Sequence, residues 1–208
     1  MKRTVCKTAV FLLLVALLLS SLAGCARESD EEFLSTAEAL LQKTAAVNEI
    51  CFGKGLDFGG EGAYVTSGYV EATGEAREKY GINTVDELKA LIRSVYSVAT
   101  CDYIDTVIFS PVKNGETAYL SFRRYFDAMD GDGNVCLMVK KDYEPLAYGE
   151  VSYANLRLSS HGRSRAEILV DITVSDGENT RTDRDVLLSL RYEDGGWKYD
   201  TVTYSSLK

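Results

Sequence analysis

The hydrophobic period of this chain changes at Pro111, and that change constrains its fold more than any other feature. Before Pro111, apolar residues recur every three or four positions in two segments, as on one face of an α-helix. After it, apolar and polar residues alternate, as in half-buried strands. Helices that precede a run of consecutive strands predict an α+β fold, with N-terminal helices packed on one face of a curved antiparallel sheet.

Two capping boxes mark where the predicted helices begin. Residues 29–32, Ser-Asp-Glu-Glu, open a helix over residues 30–49, and residues 84–87, Thr-Val-Asp-Glu, open a second one. Residues 101–109 are expected to add a further turn or a short helix. The apolar faces are formed by Phe33, Ala37, Leu40, Leu41, Thr44 and Val47 in the first helix, and by Leu88, Leu91, Ile92, Val95 and Ala99 in the second.

The segments outside these helices are predicted as strands and loops. The glycine-dense segment 53–81 lacks the spacing of a phosphate-binding loop, so it is interpreted as a surface loop with short extended pieces near 63–70. A tight turn at residues 194–196, Asp-Gly-Gly, connects the last two strands. The predicted strands cover residues 119–126, 135–140, 149–158, 166–174, 180–193 and a final segment from 197 to 204.

The N-terminus has the pattern of a bacterial lipoprotein signal. Three basic residues precede an apolar run of eleven residues, 9–19. A helix needs about 20 residues to span a bilayer, so the run predicts a signal peptide instead of a membrane-spanning helix. Leu22-Ala23-Gly24-Cys25 then matches a cleavage and lipidation box. The alternative is an ordinary secretory peptide that is cut near Gly24.

The lipoprotein interpretation divides the chain into three parts. Residues 1–24 are a signal peptide that is removed, residues 25–32 are the lipidated Cys25 with a polar tether, and residues 33–208 form a single domain. Acyl chains on Cys25 would hold the protein firmly on the membrane, since each buried methylene contributes about 0.8 kcal/mol. We therefore expect an extracytoplasmic, membrane-anchored protein.

The net charge limits the classes of partner. The chain has 23 basic and 31 acidic residues. Removal of residues 1–24 takes away three basic residues and no acidic ones, which leaves a formal charge of −11. Nucleic acid and other polyanions are therefore poor ligands for this protein, and a basic protein partner fits better.

The residues that usually carry catalysis or bind metals are scarce. Three cysteines remain after Cys25 in the body of the chain, so one disulfide with one free thiol is possible, although Cys136 lies in an apolar run and is interpreted as a small core residue. The sole histidine, His161, lies in a polar turn. One histidine cannot complete a zinc site or activate several thiols. The remaining thiols are thus Cys51, Cys101 and Cys136, and they share one histidine. We therefore assign no catalytic residue, no metal ligand and no cofactor.

Two further patterns are candidate binding features. Residues 130–134, Asp-Gly-Asp-Gly-Asn, resemble the start of an EF-hand loop, but Val135 and Lys141 stand where that loop needs glycine and glutamate, so a solvated hairpin tip is preferred. Trp197 is interpreted as core. The tyrosines of the middle strands either line a cavity or interface, or cover the edge of the core; they are Tyr119, Tyr125, Tyr143, Tyr148 and Tyr153.

Two segments resemble a known family. Residues 80–91, Tyr-Gly-Ile-Asn-Thr-Val-Asp-Glu-Leu-Lys-Ala-Leu, followed by 95–97, Val-Tyr-Ser, and the C-terminal segment 192–204 are similar to the DL-endopeptidase inhibitor family of Gram-positive bacteria and its lipoprotein relatives. The similarity extends loosely from about Glu31 to the end of the chain. It implies a cystatin/NTF2-like fold and a protein that occludes the cleft of a peptidoglycan hydrolase. No inhibitory-residue pattern of the family maps onto this sequence.

These observations favour three functions, in decreasing order. The first is a non-enzymatic surface lipoprotein that acts on a cell-wall hydrolase or another envelope protein. The second is a lipoprotein that captures or senses a small ligand, and the third is an NTF2-like enzyme with a buried aspartate and a tyrosine donor. A deep cavity with a perturbed carboxylate would favour the enzyme, a deep apolar cavity the ligand binder, and a filled interior with an exposed aromatic and acidic groove the inhibitor.

Overall fold

The computed structural model describes residues 28–60, 63–66, 68–114, 119–122, 124–144, 149–175 and 177–203. Cys25 and the predicted signal peptide lie outside this part of the chain. Backbone proximity divides the chain into two units, Met1–Phe33 and Leu34–Lys208. The described part of the first unit carries a capping box: Ser29 Oγ accepts from Glu32 N at 3.2 Å, and the Glu32 carboxylate accepts from Ser29 N at 2.9 Å. No described helix has the length and hydrophobicity that crossing a membrane requires.

Four helices precede most of the strands in the described chain. Thr84 and Glu87 form the second predicted capping box, and Ser97 caps the helix that follows. That helix is longer than expected, and it contains Ala99, which is exposed and not part of the preceding apolar face. The short second helix was not predicted. The helices are α1 (Asp30–Cys51), α2 (Glu75–Tyr80), α3 (Val85–Val95) and α4 (Val98–Ile108).

The strands are distributed over three antiparallel sheets, whereas the sequence predicted one curved sheet. A five-stranded sheet has the order β1-β3-β7-β6 with β2 also paired to β3, a four-stranded sheet has the order β11-β10-β9-β8, and β4 pairs with β5. The strands are β1 (Asp57–Phe58), β2 (Val65–Thr66), β3 (Tyr69–Thr73), β4 (Pro111–Asn114), β5 (Tyr119–Phe122), β6 (Tyr125–Met129), β7 (Val135–Lys140), β8 (Glu150–His161), β9 (Arg165–Ser175), β10 (Thr180–Glu193) and β11 (Gly196–Tyr199).

The core lies between α1 and the inward faces of the strands. Along β9 every second residue is buried and the residues between them are half-buried or exposed, as a strand with one covered face requires. The apolar stripe predicted for the first helix is confirmed from Ala37 to Val47. The buried residues of these two elements are Ala37, Leu40, Leu41, Thr44 and Val47 in α1, and Ala166, Ile168, Val170, Ile172 and Val174 in β9.

Two bulges face each other across β9. The register with β8 shifts beyond Ala154 and the register with β10 shifts beyond Asp183. At these places Asn155 and Asp185 both have φ of 54°, in the left-handed region. The Asp171 carboxylate, on the strand between them, accepts from Asn155 Nδ2 at 2.8 Å and from Asp185 N at 3.0 Å. Because a bulge bends its strand and increases the twist, the pair bends the four-stranded sheet at one level.

Two side chains cap the C-terminus of α1: Arg124, which precedes β6, and Tyr125, the first residue of β6. The Arg124 guanidinium donates to Cys51 O at 2.9 Å and to Gly53 O at 2.8 Å, and Tyr125 OH donates to Ile50 O at 2.8 Å. The last turn of α1 contains no basic residue, so Arg124 supplies the positive charge that a helix C-terminus favours. The Arg124 side chain is buried, with 1% of its surface exposed.

Candidate functional site

A buried polar network fills the space between α1 and the C-terminal segment of the chain. Tyr96 OH donates to Asn48 Oδ1 at 2.6 Å, and Asn48 Nδ2 donates to Thr203 Oγ1 at 2.9 Å. Thr203 Oγ1 in turn donates to Thr44 Oγ1 at 2.7 Å. All four residues are buried. The network joins α1, the connection between α3 and α4, and the end of the chain, so its hydrogen bonds connect residues that are far apart in sequence.

Two more tyrosines direct their hydroxyl groups to backbone carbonyls of the same region. Tyr153 OH donates to Thr203 O at 2.9 Å, and Tyr199 OH donates to Ala37 O at 3.0 Å. Burial raises the pKa of Tyr96, Tyr153 and Tyr199 above the ordinary value, although hydrogen bonds oppose this for Tyr96 and Tyr153. At neutral pH these phenols are neutral donors whose protons are already engaged, and no described carboxylate is hydrogen-bonded to any of them.

The five tyrosines for which the sequence left a cavity, an interface and the core edge open have different positions. Tyr125 is buried and caps α1, and burial raises its pKa to about 12. The Tyr143 ring lies 4.3 Å from the Arg124 guanidinium carbon. Tyr153 belongs to the buried network. Of the five, these three are therefore packing and capping residues. The side chain of Tyr119 and the whole of Tyr148 are outside the described residues.

A pocket of about 40 Å³ lies beside the bulge of β8, between that strand and α1. A volume of this size holds a few water molecules, since one water needs at least about 10–15 Å³ measured in this way. It is therefore too small for a drug-sized ligand. The residues that line it are Glu38, Leu41, Gln42, Tyr153, Ala154, Asn155, Leu156 and Val170.

The half-buried Asp200 carboxylate and the buried thiols do not have the properties that catalysis requires. Burial raises the pKa of Asp200, but hydrogen bonds from Ser97 and Arg191 outweigh this effect and hold the pKa below its ordinary value. The three cysteines are free and buried. Burial raises the pKa of Cys51 to about 12 and that of Cys101 to about 11, so both remain neutral thiols. A thiolate nucleophile requires the opposite shift.

The sequence predicted that His161 lies in a turn, and this prediction is wrong. His161 is the last residue of β8, and its ring centroid lies 5.7 Å from that of Trp197. Trp197 is buried, which confirms its interpretation as core, and Tyr192 meets it edge to face at 5.5 Å. The described residues contain no group of three or more histidine, cysteine, aspartate or glutamate side chains that could hold a metal ion.

The EF-hand-like segment is the turn of the β6–β7 hairpin. Asp130 Oδ1 accepts from Asp132 N at 2.9 Å and from Asn134 N at 2.8 Å, and Asp130 Oδ2 accepts from Asn134 Nδ2 at 3.0 Å. The hydrogen bonds from Asn134 lower the pKa of Asp130. The carboxylate therefore closes its own turn. Immediately outside the turn, Met129 and Val135 are directly opposed in register and exposed, which hydrophobic periodicity did not predict.

No family model matches the chain, and no curated protein matches it significantly. The resemblance to the DL-endopeptidase inhibitors, stated above from residues 80–91 and 192–204, therefore stays a prediction.

Proposed function

We propose that this chain is a non-catalytic, protein-binding lipoprotein of the bacterial cell surface. Its domain acts on an envelope protein, foremost a peptidoglycan DL-endopeptidase whose cleft it occludes. The observation that supports this proposal is the packed interior of the part of the chain that the structure describes. The Tyr96 network fills the space between α1 and the C-terminal segment, and the pocket beside the β8 bulge holds only a few water molecules.

The composition of this interior favours binding by the surface. The phenols of Tyr96, Tyr153 and Tyr199 are hydrogen-bonded to neutral protein groups, so they have no free donor to offer a substrate. An acid–base pair on such a fold needs a carboxylate close to a phenol. Here the residue beside Tyr96 is the amide Asn48. Because these phenols are already engaged, we expect recognition to take place on the outer surface of the domain.

We also propose the finer fold assignment, cystatin/NTF2-like. It is supported by the long helix α1, which lies against a bent four-stranded antiparallel sheet with bulges on both sides of β9, one of its two inner strands. The hydrogen bond from Tyr199 OH to Ala37 O connects the helix to that sheet. The resemblance over residues 80–91 and 192–204 is in agreement with this assignment.

The acidic character of the chain supports a basic protein partner. Opposite charges on two surfaces increase the association rate and discriminate against partners of the same charge. The formal charge of the full sequence is −8, and it becomes more negative if residues 1–24 are removed. An inhibitor with this charge would be steered to a positive surface around the cleft of its enzyme.

The test is an inhibition assay with purified proteins. The full chain, extracted from membranes in detergent, is titrated into NlpC/P60-type endopeptidases that hydrolyse a cell-wall peptide. We expect inhibition that saturates with concentration. Hydrolysis that continues unchanged at saturating protein, for every endopeptidase tried, would remove the inhibitor function.

The anchor has its own test. Cys25→Ala prevents acylation, so the domain should move from the membrane fraction to the medium, as judged by immunoblotting of both fractions. Cys6→Ala is the matched control, because Cys6 lies in the predicted signal peptide and its substitution should leave the protein in the membrane fraction. Membrane retention of the Cys25→Ala protein would contradict the lipid anchor.

A further inference from the structure

The tip of the β6–β7 hairpin, residues 129–135, exposes an apolar pair. Met129 has 68% of its surface exposed and Val135 has 48%. They are cross-strand partners in the register of β6 and β7, so their side chains project from the same face of the hairpin. Closer to the body of the sheet, Leu137 and Val139 continue this face but are buried. The apolar face of the hairpin therefore extends from the buried core to the exposed tip.

The turn that presents this pair is held by its own hydrogen bonds. Besides the three bonds to the Asp130 carboxylate, Asp130 N donates to Asn134 O at 3.0 Å and Gly133 N donates to Asp130 O at 3.2 Å. Gly133 has φ of 85°, which glycine adopts without a steric penalty. A surface that is ordered before binding loses less conformational entropy when its partner arrives. The hairpin tip is therefore organised for binding before contact.

The charged residues of the hairpin segment 127–135 and of the first turn of α3 are all acidic. Val85 N, in the first turn of α3, donates to Asp127 Oδ1 at 2.8 Å, so the start of that helix lies against the hairpin. Burial, together with repulsion from neighbouring carboxylates on α3, raises the pKa of Asp127. Within the described residues, none of the carboxylates of this region forms an ion pair. They are Asp127, Asp130 and Asp132 on the hairpin and Asp86 and Glu87 on α3.

We propose that the hairpin tip is the surface with which this protein docks onto its partner, and that the partner offers an apolar pocket rimmed by lysine or arginine. The apolar pair would fill the pocket and lose its contact with water, while the basic rim would neutralise carboxylates that have no cation of their own. Interfaces of this kind combine a central apolar anchor with a charged rim. This inference rests on the proposed function, since it names the contact surface of the proposed protein-binding domain.

The methionines provide a direct test. The sequence has three, and apart from Met1 they are the exposed Met129 and the fully buried Met138 on the neighbouring strand. The full chain is labelled with ¹³C at its methionine methyl groups and purified in detergent. Purified DL-endopeptidase is then added while methyl spectra are recorded. We expect the Met129 signal to shift or broaden and the Met138 signal to stay in place.

A pair of double variants tests the energetics. Val135→Thr with Asp132→Asn removes one apolar group and one charge from the hairpin tip but leaves the Asp130 hydrogen bonds intact. The matched control, Val65→Thr with Asp102→Asn, makes the same exchanges at an exposed valine of β2 and an exposed aspartate of α4. We expect the tip variant to bind the endopeptidase at least about tenfold more weakly and the control within about twofold of the unmodified chain. Circular dichroism of both variants verifies folding.

Each result separates the docking surface from the proposed function. If the unmodified chain inhibits the endopeptidase but Met129 does not respond, or the tip variant binds as well as its control, the inference about the hairpin tip is overturned and the function stands. If no endopeptidase binds, a lysine- and leucine-rich amphipathic peptide serves as the second probe. A response confined to Met129 then supports the basic, apolar partner without the endopeptidase, whereas no response overturns the inference together with the function.

Discussion

Tyr96→Phe tests whether the buried polar network holds the fold together. The substitution removes one oxygen atom and leaves the ring, so no large cavity forms. Asn48 Oδ1 then loses the donor that lies 2.6 Å away, and it is buried where water cannot replace it. Thr203 loses the contact of its Oγ1 at 2.9 Å and the hydrogen bond of its N at 3.4 Å to the phenol oxygen, but Oγ1 keeps its bonds with Asn48 and Thr44.

The expected loss follows from this count of partners. A buried acceptor that is left without a donor costs about 1–3 kcal/mol, whereas Thr203 retains most of its hydrogen bonding. We therefore expect Tyr96→Phe to lower the free energy of unfolding by about 2 kcal/mol. With a urea m-value of about 2 kcal/mol/M for a domain of this size, the unfolding midpoint should fall by about 1 M.

The assay is urea unfolding followed by tryptophan fluorescence, since Trp197 is the single tryptophan of the chain. Tyr103→Phe is the matched control, because Tyr103 is half exposed on α4 and should change the free energy of unfolding by less than about 0.5 kcal/mol. A double-mutant cycle with Asn48→Leu should give a coupling energy above about 0.5 kcal/mol. Equal midpoints for Tyr96→Phe and Tyr103→Phe would refute the assignment of a stabilising role to the network.

Three further predictions concern packing, pH and thiol chemistry. Gly55→Ala should destabilise the protein by more than Gly68→Ala, although both glycines have positive φ. A Cβ at Gly55 would clash with the buried Arg124 guanidinium, whereas one at Gly68 would meet nothing within 4 Å. Equal melting temperatures of the two variants would contradict the clash. Burial raises the pKa of Tyr125 from 10.0 to about 12, so its contribution to stability is complete below pH 10 and is lost as the pH rises towards 12; urea midpoints that stay constant across this range would argue against it. Cys51 and Cys101 should react with a thiol reagent at about pH 8 only after unfolding, and rapid labelling of the folded chain would show that they are accessible.

The sequence predicted the elements in which the side-chain pattern is long and regular. The strands Val135–Lys140 and Thr180–Glu193 have the predicted bounds because alternation and flanking turns define them. The helix α2 was missed because its six residues include none that is buried, so no apolar period exists to detect. Its end at Gly81, in the left-handed conformation, was the available signal.

The predicted strand over residues 119–126 is divided in the structure, and the reason is a contact that local pattern does not encode. Arg124 N donates to Ile108 O, at the end of α4, and the Arg124 side chain turns inward to cap α1. Two adjacent arginines suggest an exposed basic grouping. Only the position of the α1 C-terminus, more than seventy residues earlier in the chain, makes burial of this charge favourable.

The candidate site was beyond sequence analysis for a similar reason. The network joins Asn48, Tyr96 and Thr203, which are separated by 48 and 107 positions. Threonine and asparagine are mostly exposed in proteins and tyrosine is intermediate, so these residue types do not predict a buried network. The apolar pair at Met129 and Val135 lies inside strands that were predicted as such, but exposure at the end of a hairpin depends on how far the adjacent sheet extends.

The bulges beside β9 also affect how neighbouring molecules meet. β8 is the outermost strand of its sheet, and an outermost strand can template the addition of a strand from another copy. The two register shifts in β8, beyond Ala154 and beyond Leu158, interrupt the even ladder that such polymerisation needs. A broken outer ladder would therefore keep neighbouring copies of this chain separate when they meet at β8.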